Sequence, residues 1–185
     1  MKTQRARMLG ALAITLASGA QAMAGGSGRI PFPDGHFSFA AQGTEASCQG
    51  SSCAVLNIIE SGASIRDGAG DACGTHTAVV NTVPPTAAPP IVVPVTHVLK
   101  VIHYDPNTGT GDMSLNEYSG GTCHGAIFNG TGATQVVTGT LHFATSNGGK
   151  RIDSIVTALS LTGGGPGGYS IKFTELQQDS SGDEH

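Results

Sequence analysis

Apolar and polar residues alternate with a period of two in several parts of the chain, and no segment keeps the 3.6-residue period of an amphipathic helix. In residues 137–143 the apolar odd positions alternate with Thr138, Thr140 and His142. The same alternation runs through residues 37–42 and 169–174. It is typical of a strand with one buried and one solvent-facing side. Less regular patterns predict further strands at 54–66, 74–82, 96–104, 112–119, 122–129 and 151–161.

Short glycine-containing sequences separate the predicted strands and supply the positive-φ residues that tight turns need. They lie at 67–70, 107–109, 120–121, 129–130 and 147–149. Eight or nine strands joined mainly by hairpins predict an all-β fold, a single antiparallel up-and-down β-barrel of about eight strands. A β-sandwich is the alternative. A barrel is favoured because closure leaves no exposed sheet edge.

A proline-rich segment at 83–94 interrupts this pattern, with five prolines and no charged residue. Proline cannot donate a hydrogen bond to a neighbouring strand, so the segment is not expected to form a central strand. We predict an extended loop that passes over the surface or across a barrel mouth. An apolar lid and a stiff connector are both compatible with this composition.

The first 22 residues have the pattern of a secretory signal peptide. A basic head is followed by a short apolar stretch, and the sequence Ala20-Gln21-Ala22 matches a cleavage site. The apolar stretch is too short to span a bilayer, and no later stretch is long and apolar enough to do so. We therefore predict a signal peptide at 1–22, a barrel domain at 23–178 and a flexible tail at 179–185, in a secreted or periplasmic protein.

The charge balance argues against a nucleic-acid partner. The sequence has 9 Lys and Arg residues and 13 Asp and Glu residues. Three of the cations lie in the predicted signal peptide, so the mature chain has 9 − 3 = 6 cations and a formal charge of −7. A surface that binds phosphates along a nucleic acid needs clustered cations, which this chain does not have.

Four cysteines in an exported chain are expected to form disulfides, because the extracytoplasmic compartments are oxidising. Three pairings are open. The favoured one joins Cys48 to Cys53 and Cys73 to Cys123. In the chain-entropy model the short loop contributes about 2 kcal/mol and the loop of about 50 residues contributes about 4 kcal/mol.

Several of these sequences together resemble a group of small secreted bacterial proteins that are similar in fold to the allene oxide cyclase barrel, within the lipocalin-like barrels. The likeness rests on GHFSF at 35–39, the turns at 67–70 and 105–111, the segment 148–157 and the closing strand at 168–171. The proline-rich segment and the cysteines depart from the group's pattern. The resemblance implies a barrel, and it assigns no catalytic residue because no match to the cyclase site is present.

The turn sequence at 105–112, DPNTGTGD, also looks like a calcium-binding loop. An EF-hand loop that begins at Asp105 needs Asp or Asn at its third and fifth positions, Gly at its sixth and Glu at its twelfth. Asn107 fits the third position, whereas Gly109, Thr110 and Asn116 occupy the others. The acidic loop at 67–71 has only two carboxylates. Both sequences are therefore predicted to be hairpin turns, with Asp105 capping its own turn.

The cysteines and histidines are the candidate ligands for a transition metal. Cys73, His76, Cys123 and His124 form a zinc-like set, but Cys73 and His76 would lie about 10 Å apart on an extended strand, and a disulfide would consume both thiols. His97 and His103 share a predicted strand about 20 Å apart. The sequence therefore predicts no metal ligand and no cofactor, and all these histidines are expected at the surface or the barrel rim.

No catalytic residue is assigned either. No G-x-S-x-G motif follows a strand, and Thr157, Asp153 and His142 have no recognisable triad spacing. The leading hypothesis is a barrel that binds a small apolar molecule in its interior or mouth without catalysis. One alternative is an isomerase or cyclase that uses buried polar residues such as Glu60, Lys100, Tyr104 or Glu117. Another is an envelope protein that docks a partner through the proline-rich loop.

Overall fold

The computed structural model describes residues 29–49, 52–83, 89–162 and 168–178. Eight long strands close into an antiparallel barrel in the order β1-β10-β9-β8-β5-β4-β3-β2, which confirms the predicted up-and-down barrel. Neighbours along the chain are neighbours in the sheet, apart from one hairpin inserted between β5 and β8. The strands are β1 (Gly35–Gln49), β2 (Ser52–Arg66), β3 (Ala72–Val83), β4 (Ile91–Asp105), β5 (Thr110–Ser119), β6 (Thr122–His124), β7 (Ile127–Asn129), β8 (Thr134–Ser146), β9 (Arg151–Leu161) and β10 (Tyr169–Gln177).

The inserted hairpin, β6 and β7, occupies the region predicted as one strand at 122–129 and packs outside the barrel. The disulfide between Cys73 and Cys123 ties it to β3, as the sequence predicts. The ring of Tyr118 on β5 stacks on Phe128 of the hairpin, with ring centroids 4.4 Å apart. Cys73 and Val98 are register partners, and both are buried. The hairpin therefore gives this part of the barrel wall a covered outer face.

The other predicted disulfide lies partly outside the described residues, since the side chain of Cys48 is not among them. Cys48 and Cys53 are direct partners in the register of β1 and β2. The predicted signal peptide at 1–22 and the tail at 179–185 also lie outside the described residues. Among the described residues, no helix is long and apolar enough to cross a membrane.

The sequence DPNTGTGD forms the turn between β4 and β5, as predicted. The Asp105 carboxylate accepts a hydrogen bond from the backbone N–H of Asn107 at 2.9 Å, and this bond lowers the pKa of Asp105. The Gly109 N–H donates to the Asp105 carbonyl at 2.8 Å, and Gly109 has a φ of +72°. Only glycine adopts that backbone conformation without strain, so Gly109 allows the chain to reverse.

The prediction of a loop over the whole of 83–94 is wrong at both ends. Val83 is the last residue of β3, and residues 91–94 are part of β4. Pro94 pairs with Thr77 of β3, but β4 pairs with β5 only from Thr96 onward. Because the start of β4 has a neighbour on one side only, proline is tolerated there. Residues 84–88 lie outside the described residues.

One end of the barrel is closed by the segment that precedes β1. Phe32 packs edge-on against Tyr104 and Phe143, with ring centroids 4.8 and 5.5 Å away. The Tyr104 hydroxyl donates to the carbonyl of Ile30 at 3.0 Å. A core of buried residues lies behind this plug: Phe37, Ala72, Leu99, Met113, Leu115, Leu141, Phe143 and Ile152. Strand direction alternates around the barrel, so the last residues of β1, β3 and β9 and the first residues of β2, β4 and β10 lie at the opposite end.

Candidate functional site

Four titratable side chains enter the barrel from four neighbouring strands. Glu60 lies on β2, His76 on β3, His97 on β4 and Glu117 on β5, and they are 8%, 5%, 4% and 6% exposed. Alternation along each strand directs these side chains inward, where the register makes His97 and Glu117 direct partners. Ionisable residues are seldom buried without a partner, so this group is the strongest functional signal in the interior.

Three of these side chains converge on one point. The Nε2 atom of His76 lies 3.8 Å from Oε1 of Glu117 and 3.9 Å from Oε2 of Glu60. One ligand-capable atom from each residue lies within 4.8 Å of the others. These separations exceed hydrogen-bond length. The His76 Nε2 and Glu60 Oε2 atoms have no hydrogen-bond partner in the described part of the chain.

Burial makes the uncharged form of each group more stable. It raises the pKa of Glu60 to about 7. It also raises the pKa of Glu117 to about 8, and the negative charges of Glu60 and Glu45 add to that rise. The pKa of His76 falls to about 4 for the same reason. His76 is therefore neutral near pH 7, and its contacts with the two carboxyl groups are not ion pairs.

His97 contacts the Nδ1 side of the His76 ring, whereas Glu60 and Glu117 lie near its Nε2 atom. The Nδ1 atoms of the two histidines are 3.2 Å apart, and the edge of Phe39 packs against both rings. Burial lowers the pKa of His97 to about 3, and the charges of His76, once it is protonated at low pH, and of Arg66 add to the fall. Two glycines lie beside these histidines in the register. A Cβ atom on Gly62 would lie 2.6 Å from the His76 Cβ, and one on Gly74 would lie 2.6 Å from the His97 ring.

The space beside these side chains is small. An enclosed void of about 10 Å³ is lined by nine residues, which include Phe39, His76, His97 and Glu117. This is about the volume that one water molecule needs. This void has room for an ion or a water molecule but not for a substrate.

The structure brings together two of the four polar residues named from the sequence. Glu60 and Glu117 converge inside the barrel. The Lys100 side chain is 65% exposed, and its Nζ lies 3.6 Å from Oδ2 of Asp71 on the outer surface. Tyr104 belongs to the plug at the closed end. The separate enzyme hypothesis needed two titratable groups in one place, and Glu60 and Glu117 meet that geometric requirement.

The expectations for the histidines were wrong in two cases. His76 and His97 were predicted at the surface or rim, and both are buried. Cys73 and Cys123 form a disulfide, so neither thiol is a metal ligand in the zinc-like set. Among the triad candidates, His142 contacts Asp112 at 2.9 Å. The other two have partners of their own, because Asp153 pairs with Arg151 and Thr157 with Thr140.

One signal in the sequence points to the buried histidines. Gly62 and Gly74 lie inside otherwise regular strands, and glycine in a strand often marks a close approach by another group. His97 gave no such signal of its own. Residues 95–99 of β4 are all buried. Because the outer face of β4 is also covered there, apolar and polar residues do not alternate and do not show which side chains point inward.

The group offers one neutral imidazole nitrogen and two carboxylates, which is a ligand set for a divalent metal ion. Ligand atoms about 2.1 Å from one ion lie about 3.0 to 3.4 Å apart, so Glu60 and Glu117 need to move by less than about 1 Å to bind. Comparison of the chain with protein-family models, with curated proteins and with solved structures finds no match.

Proposed function

We propose that this protein is a secreted metal-binding β-barrel that holds one divalent cation in the barrel interior through Glu60, His76 and Glu117. One observation carries the proposal. The His76 side chain is 1% exposed, and its Nε2, which has no hydrogen-bond partner among the described residues, lies 3.8 and 3.9 Å from two buried carboxyl groups. A buried polar atom without a partner costs about 1 to 3 kcal/mol, and a cation at this point would satisfy the atom.

A cation also explains why two carboxyl groups share one buried site. Without a positive charge between them, burial raises the pKa of both Glu60 and Glu117, and the negative charge of Glu60 adds to the rise at Glu117. Binding replaces the retained proton with the cation and turns the repulsion into attraction for a common charge. The same exchange predicts that metal binding releases protons and weakens as the pH falls.

A third interior carboxyl group lies toward the end opposite the plug. Glu45 faces the interior on β1 beyond the level of Glu60, because Glu60 pairs with Ala41, four residues earlier. Burial raises the pKa of Glu45 as well. Three interior carboxyl groups near one end, in a mature chain with a formal charge of −7, would draw cations toward that end.

The predicted export to an oxidising compartment is compatible with this proposal. The signal-peptide pattern at 1–22 directs the chain to an oxidising compartment, and the Cys73–Cys123 disulfide is compatible with such a place. With these cysteines in a disulfide, the nitrogen and oxygen ligands of the interior remain available to bind a cation.

Metal titration tests the proposal directly. Mature protein (residues 23–185), stripped with a chelator, is titrated with Zn²⁺, Co²⁺, Mn²⁺, Mg²⁺ and Ca²⁺ by calorimetry and thermal unfolding. We expect one equivalent of at least one of these ions to bind and raise the melting temperature. The Glu60→Gln/Glu117→Gln double variant should bind at least 100-fold more weakly, because both anionic ligands are lost.

The exposed pair of His142 and Asp112 provides the matched control, because it also places a histidine beside a carboxylate. His142→Gln should bind the ion as the parent protein does. No saturable binding of any of the five ions would refute the proposal. Binding that survives the double variant but is lost with His142→Gln would place the ion on the surface instead.

A second candidate function is the binding of a small apolar molecule on the outer face. A groove of about 750 Å³ lies between the outer side of β1–β3 and the start of the β6 hairpin, beside Ile65 and Cys123. Its volume is within the range of small-molecule sites. A fluorescent fatty-acid-like probe should bind saturably and lose binding in Ile65→Glu, with metal binding unchanged. Absence of saturable probe binding would reject this candidate.

A further inference from the structure

The two buried histidines must share one proton between their facing nitrogens. The Nδ1 atoms of His76 and His97 are 3.2 Å apart, so one donates and the other accepts. Two arrangements satisfy this contact. Either His76 carries its proton on Nδ1 and leaves Nε2 as a lone pair, or His76 accepts at Nδ1 and carries its proton on Nε2.

The surroundings of His76 Nε2 favour the first arrangement. In the second, an N–H group would point between Glu60 and Glu117 at 3.8 and 3.9 Å, which is too far for a hydrogen bond. A buried N–H group without an acceptor is rare in folded proteins, whereas an acceptor that lacks a donor is less so. The first arrangement leaves a lone pair directed between the two carboxyl groups.

We propose that His97 is a positioning residue that holds His76 in the Nδ1–H form, and that this makes the interior site select a transition-metal ion of the zinc type over Ca²⁺ and Mg²⁺. The inference rests on the proposed metal site and names the class of ion that the site takes. A fixed imidazole lone pair suits Zn²⁺, Co²⁺, Ni²⁺ and Cu²⁺. Ca²⁺ and Mg²⁺ prefer oxygen ligands, six to eight for Ca²⁺ and an octahedral set for Mg²⁺, whereas this group supplies two carboxylates.

The packing holds both rings in the orientation that this role needs. Phe39 meets the rings of His76 and His97 edge-on, with centroids 5.2 and 4.8 Å away. Gly74 leaves no space beside the His97 ring, since a Cβ there would lie 2.6 Å from it, and a Cβ on Gly62 would lie 2.6 Å from the His76 Cβ. A partner that fixes the tautomer of a metal-binding histidine, and is itself fixed by packing, raises metal affinity by about 10- to 100-fold in known sites.

The tautomer can be measured without metal. Long-range ¹H–¹⁵N correlation spectra of chelator-treated protein at pH 7 should show His76 with its proton on Nδ1. His97→Leu keeps the bulk but removes the acceptor, and His97→Asn keeps an acceptor near the same position. We expect His76 to become a mixture of forms in the leucine variant and to return to the Nδ1–H form in the asparagine variant.

Metal affinity supplies the second measurement. Zn²⁺ should bind the parent protein at least 100-fold more tightly than Ca²⁺ or Mg²⁺. His97→Leu should weaken Zn²⁺ binding about 10- to 100-fold, and His97→Asn should restore most of the loss. Co²⁺ absorption should show a changed ligand field in the leucine variant.

The outcomes separate this inference from the proposed function. Equal affinities for Zn²⁺ and Ca²⁺ at Glu60, His76 and Glu117 would refute the selectivity and leave the cation site standing. Binding of no cation at all would refute the cation site. An Nε2–H form of His76 in the parent protein would overturn the role of His97, and the parent spectrum decides this even if His97→Leu fails to fold.

Discussion

The guanidinium group of Arg66 and the carboxylate of Glu175 form a two-point ion pair inside the barrel. Nη2 of Arg66 lies 2.5 Å from Oε1 of Glu175, and Nε lies 3.1 Å from Oε2. The two side chains are 0% and 5% exposed. Arg66 also donates to the carbonyl of Gly70 at 2.8 Å, so the pair connects β2, β10 and the turn after β2. It lies on the side of the interior that faces the plug.

Glu175→Gln should destabilise the protein by about 3 to 5 kcal/mol, because it leaves the buried Arg66 without a counter-charge. Urea unfolding gives the free energy of unfolding. The control is Arg151→Met, which removes the exposed ion pair with Asp153 and should cost less than about 1 kcal/mol. Equal losses in the two variants would show that burial does not determine the strength of these pairs.

The stability of metal-free protein should fall as the pH rises above about 6.5. Glu60 and Glu117 have folded pKa values raised to about 7 and 8, so their contribution is full below the unfolded value near 4.5 and is lost as the pH rises through the folded values. His76 and His97 have folded pKa values lowered to about 4 and 3, so their contribution is lost as the pH falls below 6.5. Between 4.5 and 6.5 the two effects oppose each other.

Thermal unfolding of chelator-treated protein at pH 6 and pH 8.5 checks this dependence. We expect a lower free energy of unfolding at pH 8.5, by on the order of 2 kcal/mol. The Glu60→Gln/Glu117→Gln variant should no longer be less stable at pH 8.5, because the two histidines alone favour the higher pH. Glu45, whose pKa is also raised, adds to the difference in the parent protein with the same sign. Unchanged or greater stability at pH 8.5 in the parent protein would contradict the expected protonation of the two carboxyl groups.

Gly74→Ala should be costly although it adds one methyl group. Its Cβ would lie 2.2 Å from the carbonyl oxygen of Ala63 and 2.6 Å from the His97 ring. We expect a loss of at least about 1 to 3 kcal/mol, measured by urea unfolding, and weaker metal binding because the ring must move. Gly68→Ala is the matched control, since its Cβ would meet no atom within 4 Å, and its effect should stay within about 0.5 kcal/mol. A neutral Gly74→Ala variant would contradict the close packing of the histidine pair.

Removing the Cys73–Cys123 disulfide should release the hairpin without opening the barrel. The bridge closes a separation of 50 residues, for which the chain-entropy model gives about 4 kcal/mol. In Cys73→Ala/Cys123→Ala, we expect lower stability and faster hydrogen exchange at β6 and β7, with metal binding retained. Phe128→Ala removes only the stacking with Tyr118 and should cost less. Unchanged exchange in the hairpin after loss of the bridge would show that packing alone holds it.

The sequence by itself determined the strands, the closed barrel and the turn at 105–112, because alternation, glycine placement and turn residues act between near neighbours. It also indicated the Cys73–Cys123 pairing. Its one large error in the fold was the proline-rich segment. Residues 91–94 pair with β3 but not with β5, and the sequence does not show that β5 ends before it reaches them.

Only the tertiary structure decided the candidate site. Glu60, His76, His97 and Glu117 are spread over 58 positions of the sequence, and no local pattern relates them. The register of β2, β3, β4 and β5 brings three of their polar atoms within 4.8 Å. His97 was predicted at the surface or rim. The residues on both faces of β4 around it are apolar, so the sequence does not show which face points into the barrel. The geometry of a buried polar site is determined by closure of the barrel, which joins residues that the chain keeps far apart.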